Sequence, residues 1–208
     1  MAVSVGLELG TSSVRAVSLE QRGTRARLVA SAQVPLAGDT AEDLTASIKQ
    51  LRKALPIKQP VIVGIPTSSS VVTTVQPLIV NRKRAELAIQ FELQQHLPYD
   101  VEQAVWHYQW FSANGATQAA ARRKAMTQSP PSRPAVVAAM KRSLLEERLE
   151  ACRRAGIAIQ AVGVAAVASV NAWSVQLGAT DPLRGALLHL DGSLLEWVVV
   201  APSGVHVF

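Results

Sequence analysis

The stretch Val5-Gly-Leu-Glu-Leu-Gly-Thr-Ser-Ser-Val-Arg-Ala-Val-Ser-Leu19 decides how the chain is read. An apolar run carries one acidic side chain, Glu8, near its end. A glycine-hydroxyl turn follows at Gly10, Thr11, Ser12 and Ser13, and a second apolar run resumes at Val14. The pattern predicts strand, turn, strand. Such a hairpin can present the amides and hydroxyls of its turn to a phosphate chain, as successive backbone N–H groups do in an anion nest. Glu8 can then hold magnesium through water, because hard cations take carboxylate oxygen and keep much of their hydration shell. A Walker A loop is excluded: a strand follows instead of a helix, and GK[ST] is absent. On spacing alone, an ordinary Gly-Thr hairpin accounts for the stretch.

Working outward, Arg25–Val34 reads as a third strand. Thr40–Leu55 reads as a helix capped by Asp39 or Thr40, with Leu44, Ile48, Leu51 and Leu55 at helical spacing. Val61–Ile65 is a short buried strand ended by Pro66 and the turn Thr67–Ser70. Val71–Val80 reads as a strand, and Asn81 as the cap of a helix over Arg82–His96. Val101–Phe111 is a strand with Trp106, Tyr108 and Trp110 on one face, which points to core packing ahead of a peptide groove. Residues 112–134 read as a long flexible loop marking a variable insertion or binding segment. Ala135–Met140 is a strand and Arg142–Ala155 a helix, with Glu150 paired to Arg154 and Gly156 as its C-cap. Ile157–Val162 is a strand, and Val164–Leu177 an apolar helix expected to be buried all round. Ala186–Leu190, Leu194–Val200 and Val205–Phe208 complete the strands. The order predicts an α/β protein with a mixed, partly antiparallel sheet.

Composition narrows the function classes. The chain has 208 residues, 49% hydrophobic and 17% charged, enough for one large or two small domains with a buried core. Dominant disorder is therefore excluded. Its longest apolar stretches, such as Ala161–Val170, fall short of the roughly 20 residues a bilayer demands. The N-terminus has no signal-peptide pattern, and the lone Cys152 suits a reducing cytoplasm. The net charge of +6 is local: Arg122, Arg123, Lys124, Arg133, Lys141 and Arg142 lie in a stretch without Asp or Glu. No aromatic platform interleaves Arg122–Lys124, so nucleic-acid binding is not expected. The basic loop is read as a solvated surface, with anionic headgroups as its functional alternative. His96, His107, His189 and His206 lie on four separate elements without metal-ligand spacing. Cys152 faces inward from its helix, and Thr67–Ser70 lacks the G-x-S-x-G elbow of a nucleophile.

The hairpin resembles the first phosphate loop of the actin-like ATPase superfamily, and within it the PilM family of type IV pilus assembly proteins. That family's pattern is apolar-Gly-apolar-Asp-apolar-Gly-Ser/Thr-Ser-Ser-apolar-Lys at the extreme N-terminus. Val61–Pro66 with the strand after it, Arg84–Asp100, and Ala135–Asn171 resemble further family segments in the same order. The resemblance implies an actin-like (ribonuclease H-like) fold close to FtsA, with an inserted α+β subdomain called 1C. Subdomain 1A would comprise residues 1–78 and 158–180, the insertion 79–157, and residues 181–208 would begin a second lobe, 2A, left incomplete. It implies ATP with magnesium in the cleft: Gly10, Thr11, Ser12, Ser13 and Arg15 at phosphates, Asp191 and Gly192 in a second phosphate loop, Glu8 near the metal. It also implies a cytoplasmic protein, peripheral at the inner membrane through partners. The chief partner is the N-terminal tail of a PilN-type membrane protein, gripped in a groove near the junction of 1A and 1C. Other pilus assembly proteins and self-association follow from the same resemblance.

Departures qualify the chemistry. Glu8 stands where the family has Asp, and Arg15 where it has Lys. Leu188-His-Leu-Asp-Gly-Ser-Leu-Leu195 lacks the fuller second-loop pattern, and adenosine-pocket residues would lie beyond Phe208. The chain is therefore expected to act as a binding adaptor and not to hydrolyse ATP. The alternatives are a nucleotide-independent scaffold resembling the type II secretion protein GspL, and a fragment of an actin-like ATPase or kinase.

Overall fold

The computed structural model describes residues 2–23, 25–38, 40–77, 84–110, 134–177, 184–191, 194–201 and 204–207. Expectations for Asp39, Asn81, the basic loop at Arg122–Lys124, Gly192 and Phe208 fall outside them. Two compact units emerge, each built from separated segments. The first comprises residues 1–69, 142–168 and 191–194, the second residues 70–141, 169–190 and 195–208.

The first unit is organised on a five-stranded sheet. Strands β1 (Ala2–Leu9), β2 (Ser13–Arg22) and β3 (Arg25–Pro35) form an antiparallel meander. β4 (Val61–Ile65) and β8 (Ile159–Val164) then add in parallel to β1, giving the order β3-β2-β1-β4-β8. Alternation places Val5, Leu7, Leu9, Val14, Ala16, Val61, Val63 and Ile65 on one face, and all are buried. Their cover is α1 (Ala41–Ala54), which presents Leu44, Ile48 and Leu51. Thr40 is its N-cap: the Thr40 hydroxyl accepts from the Asp43 amide at 3.1 Å and donates to the Asp43 carboxylate at 2.7 Å.

Helix α3 (Arg142–Arg154) packs beside α1 in this unit, although the sequence reading grouped it with the insertion. It ends in a Schellman turn, in which Ile157 N–H donates to Cys152 C=O and Gly156 N–H to Arg153 C=O. Gly156 has φ +72, and a Cβ there would strike the Arg52 guanidinium, which itself donates to the Ala155 carbonyl. Glu150 pairs with Arg154 as expected, and with Arg153 as well. Those two guanidiniums hold its carboxyl below the usual carboxylate range.

The second unit holds two three-stranded sheets. β5 (Val71–Val75), β7 (Ala135–Lys141) and β6 (Ala104–Trp110) pair in the order β5-β7-β6 under α2 (Ala85–Gln94). Ile89 and Leu93 of α2 are fully buried with Val75, Val101, Val137 and Ala139. Leu87 and Phe91, two positions before Ile89 and Leu93 respectively and so about half a turn round the helix, face solvent. Trp106, Tyr108 and Trp110 pack against this core, as their shared face predicted, with Tyr108 edge-on to Trp110 at 5.4 Å. β9 (Gly185–Asp191), β10 (Leu194–Ala201) and β11 (Gly204–Val207) form the other sheet. The Thr74 hydroxyl of β5 bonds both the amide and the carbonyl of Val205, tying β11 to the β5-β7-β6 sheet. Gly204, at φ +142, lies so close to Thr74 that a Cβ would collide with its side chain.

Three expectations are corrected. β5 stops at Val75 instead of running to Val80, and α2 begins at Ala85, with Arg84 in the cap position making no side-chain cap bond. Helix α4 (Ala165–Leu177) is not buried all round: Ala165 and Ala166 are buried, but Val175 is 77% exposed. An apolar helix favours cover, but its composition does not oblige its own chain to supply it. Among the described residues no helix is long and apolar enough to cross a membrane.

Candidate functional site

The Gly10–Ser13 turn sits where the parallel strands β1, β4 and β8 end, the edge at which open α/β sheets accept ligands. Gly10 and Ser13 are buried, Thr11 and Ser12 exposed. The turn is braced from β3: Leu36 N–H donates to the Ser12 carbonyl at 2.9 Å, and the Gln33 side chain donates to the Ser13 hydroxyl at 3.2 Å. Thr11 and Ser12 are therefore the exposed residues of the turn.

Behind the turn, Glu8 and Arg15 are direct register partners, and Arg15 Nη1 donates to Glu8 Oε2 at 3.3 Å. Both side chains are 29% exposed. One row across the sheet runs Gln33, Arg15, Glu8, Gly64, Gly163. The two glycines leave the sheet without side chains on the β4 and β8 side of Glu8. Seven positions separate Glu8 from Arg15, and the sequence reading treated them singly. Their pairing was legible all the same: a turn closing Leu9 against Val14 sets Glu8 against Arg15 by register alone.

This donor set suits an anion better than a metal. The exposed hydroxyls and the Arg15 guanidinium fit a phosphate. Glu8 already spends one oxygen on Arg15, and among the described residues no three His, Cys, Asp or Glu side chains converge. Asp191 closes β9 and belongs to the same unit as the Gly10–Ser13 turn, while Gly192 lies outside the described residues.

The hydroxyl run Thr67–Ser69 serves structure. Buried Thr67 accepts from the Ala166 amide at 3.1 Å and so caps the start of α4, while Ser69 accepts from Arg148 at 3.3 Å. His96, His107, His189 and His206 stay on separate elements, with His189 3.5 Å from buried Glu196. Cys152 is fully buried, and burial pushes its thiol up to about 11.

Known structures identify the architecture. The chain matches that of a PilM-PilN type IV pilus biogenesis complex with a TM-score of 0.74 and 21% identity, over 98% of this chain and 60% of that one. It matches the cytoplasmic domain of EpsL, an inner membrane component of the type II secretion system of Vibrio cholerae, at 0.61 and 16%, over 100% and 71%. It also matches a Bacteroides thetaiotaomicron protein with an actin-like ATPase fold at 0.51 and 10%, over 98% and 67%. The fold is therefore that of the actin-like ATPases, with this chain spanning 60% of the length of the chain it matches in the PilM-PilN complex. A sequence profile of the type IV pilus assembly protein PilM matches residues 6–181, and the chain belongs to that family. Among curated proteins none matches.

Proposed function

We propose that the chain is an adaptor of type IV pilus assembly that holds the N-terminal tail of a PilN-type inner-membrane protein on the cytoplasmic side. The observation that carries this is the profile match over residues 6–181, joined to the likeness to a chain of a PilM-PilN type IV pilus biogenesis complex. In this reading the five-stranded sheet is the core of subdomain 1A, the β5-β7-β6 sheet with α2 is the 1C insertion, and β9 to β11 begin subdomain 2A. Other pilus assembly proteins and a second copy are its further partners.

Nucleotide gates the grip. Thr11, Ser12, the turn amides and Arg15 bind phosphate, with Asp191 and Gly192 as the second loop. ATP supplies the phosphate chain and magnesium its counter-charge, with Glu8 facing the ion through water by the oxygen that Arg15 does not take. The chain binds without hydrolysing. Calorimetry of the full chain with a synthetic PilN-type N-terminal peptide tests the adaptor reading: micromolar binding is expected, and none, with folded protein, rejects it.

A second reading, a GspL-like scaffold without nucleotide, draws on the Glu8–Arg15 pair, which neutralises the charges a nucleotide site uses. Peptide binding with no response to ATP and magnesium favours it over the gated adaptor.

A further inference from the structure

We propose that the outer end of the β2–β3 hairpin is a membrane-surface site, with Arg22 and Arg27 on anionic phospholipid headgroups and Leu28 and Val29, on the other face of the edge strand, in the apolar boundary. This contact is direct and independent of the tail grip, and it lies at the opposite end of β2 from the Gly10–Ser13 turn. At about 3.3 Å per residue, that ten-residue strand separates the two by roughly 30 Å.

The hairpin end Glu20–Arg27 carries three arginines, Arg22, Arg25 and Arg27, against one acid. Glu20 receives Arg22 on Oε1 at 3.5 Å and Arg27 on Oε2 at 3.3 Å. The one carboxylate is thereby committed to orienting two guanidiniums, whose side chains remain 63% and 76% exposed. An arginine presents five N–H donors in a planar fork, so the bridge from Arg27 to Glu20 leaves donors for a phosphate oxygen. Glu20, Arg22, Ala26 and Arg27 line a concavity of about 380 Å³, room for a phosphate headgroup.

The apolar half of the site comes from an irregularity. Leu19 pairs with Leu28 but Ser18 pairs with Ala30, so Val29 is an extra residue in β3. Successive strand residues ordinarily face opposite sides, yet Leu28 and Val29 are 57% and 51% exposed. A bulge re-aims side chains in this way. β3 is also the edge strand of its sheet, and Val3, register-opposite to Glu20, adds another exposed apolar side chain. Arg27, register-opposite to Glu20, and Leu28, register-opposite to Leu19, lie on opposite faces. The edge of the hairpin thus carries cations that select phosphate on one face and apolar side chains that select the acyl boundary on the other. A free phosphate would use only the first, an apolar protein groove only the second, and an anionic bilayer uses both.

The test is co-sedimentation of the full chain with vesicles of phosphatidylglycerol and phosphatidylcholine, against phosphatidylcholine alone. Binding is expected to the anionic vesicles and to weaken as salt rises. The double variant Arg22→Ser, Arg27→Ser should lower partitioning about 25-fold, at about fivefold per arginine. Leu28→Ser with Val29→Thr should lower it several-fold at unchanged charge. Circular dichroism checks that each variant is folded. Arg122, Arg123 and Lys124 changed together to Ser should leave binding in place. Absence of binding to anionic vesicles overturns the proposal, as does loss that follows Arg122–Lys124 instead of the hairpin. Full binding by the Leu28→Ser, Val29→Thr variant overturns it too: with inorganic phosphate displacing the vesicles, the hairpin is a free-anion site, and without displacement a purely electrostatic surface.

Discussion

Glu8→Gln separates the two roles open to that carboxylate. In the structure it neutralises Arg15, with 3.3 Å between Oε2 and Nη1 and both side chains 29% exposed. A unit charge at that distance is worth about 1.3 kcal/mol in water, rising to an upper bound of about 5 kcal/mol at an effective dielectric of 20. The pair lies on an open sheet face, so the lower figure governs. Loss of the pair should therefore cost folding no more than about 1 kcal/mol. Its effect on anion binding is larger in relative terms: with the negative charge gone, Arg15 should hold a phosphate up to tenfold more tightly in the absence of metal. If Glu8 also faces magnesium through water, the same substitution removes the gain that magnesium gives wild type. Two calorimetric titrations decide, ATP with chelator and ATP with excess magnesium, on wild type and variant. Tighter metal-free binding with loss of the magnesium response is expected. A folded variant whose two titrations both match wild type refutes the site, and weaker metal-free binding refutes the assignment of Arg15 as the phosphate cation.

Further outcomes follow from single positions. Gly204→Ala forces a side chain into a backbone with φ +142 and against Thr74, and should cost about 2 kcal/mol or more, seen as a fall in Tm of several degrees. Thr40→Ala removes the cap of α1 and should cost about 1 kcal/mol in chemical denaturation, with Thr40→Ser restoring most of it. Cys152 should resist thiol reagents near neutral pH until the protein unfolds. The folded thiol ionises only at about 11, against an ordinary value of 9.0. Unfolding therefore releases a proton between those values, and stability should fall as pH rises through that window, by at most about 1.4 kcal/mol per unit. Cys152→Ala should remove that contribution, leaving the part of the alkaline slope that half-buried Tyr99, also raised above its ordinary value, supplies.

Most of the fold was legible because its signals are local. Leu44, Ile48 and Leu51 recur at helical spacing behind a capping threonine, and Gly156 follows a helix whose last carbonyls need partners. The β1–β2 hairpin was readable from a glycine-hydroxyl turn between two apolar runs. What escaped depends on partners distant in sequence. Whether α4 is covered turns on surfaces its composition does not name, and Thr67 reaches Ala166 across 99 positions. The bulge at Val29 leaves no mark, since Arg-Leu-Val-Ala reads equally well in even register. At the candidate site, the residue types of Gly10–Ser13 were read directly. The Glu8–Arg15 pair needed the strand register to be taken literally.

The pairing of Val71 with Ala139 carries a consequence for how the protein assembles. β8 cannot join β4 until about 90 further residues have been made, a separation that ordinarily slows folding. If the β5-β7-β6 sheet folds first, its two ends meet at that pairing, and the chain left to close is roughly a quarter as long. Two halvings of loop length recover about 1 kcal/mol of closure entropy. The β5-β7-β6 sheet then behaves as a clasp closed during synthesis: the five-stranded sheet that carries the Gly10–Ser13 turn is completed afterwards, by a strand delivered to its place.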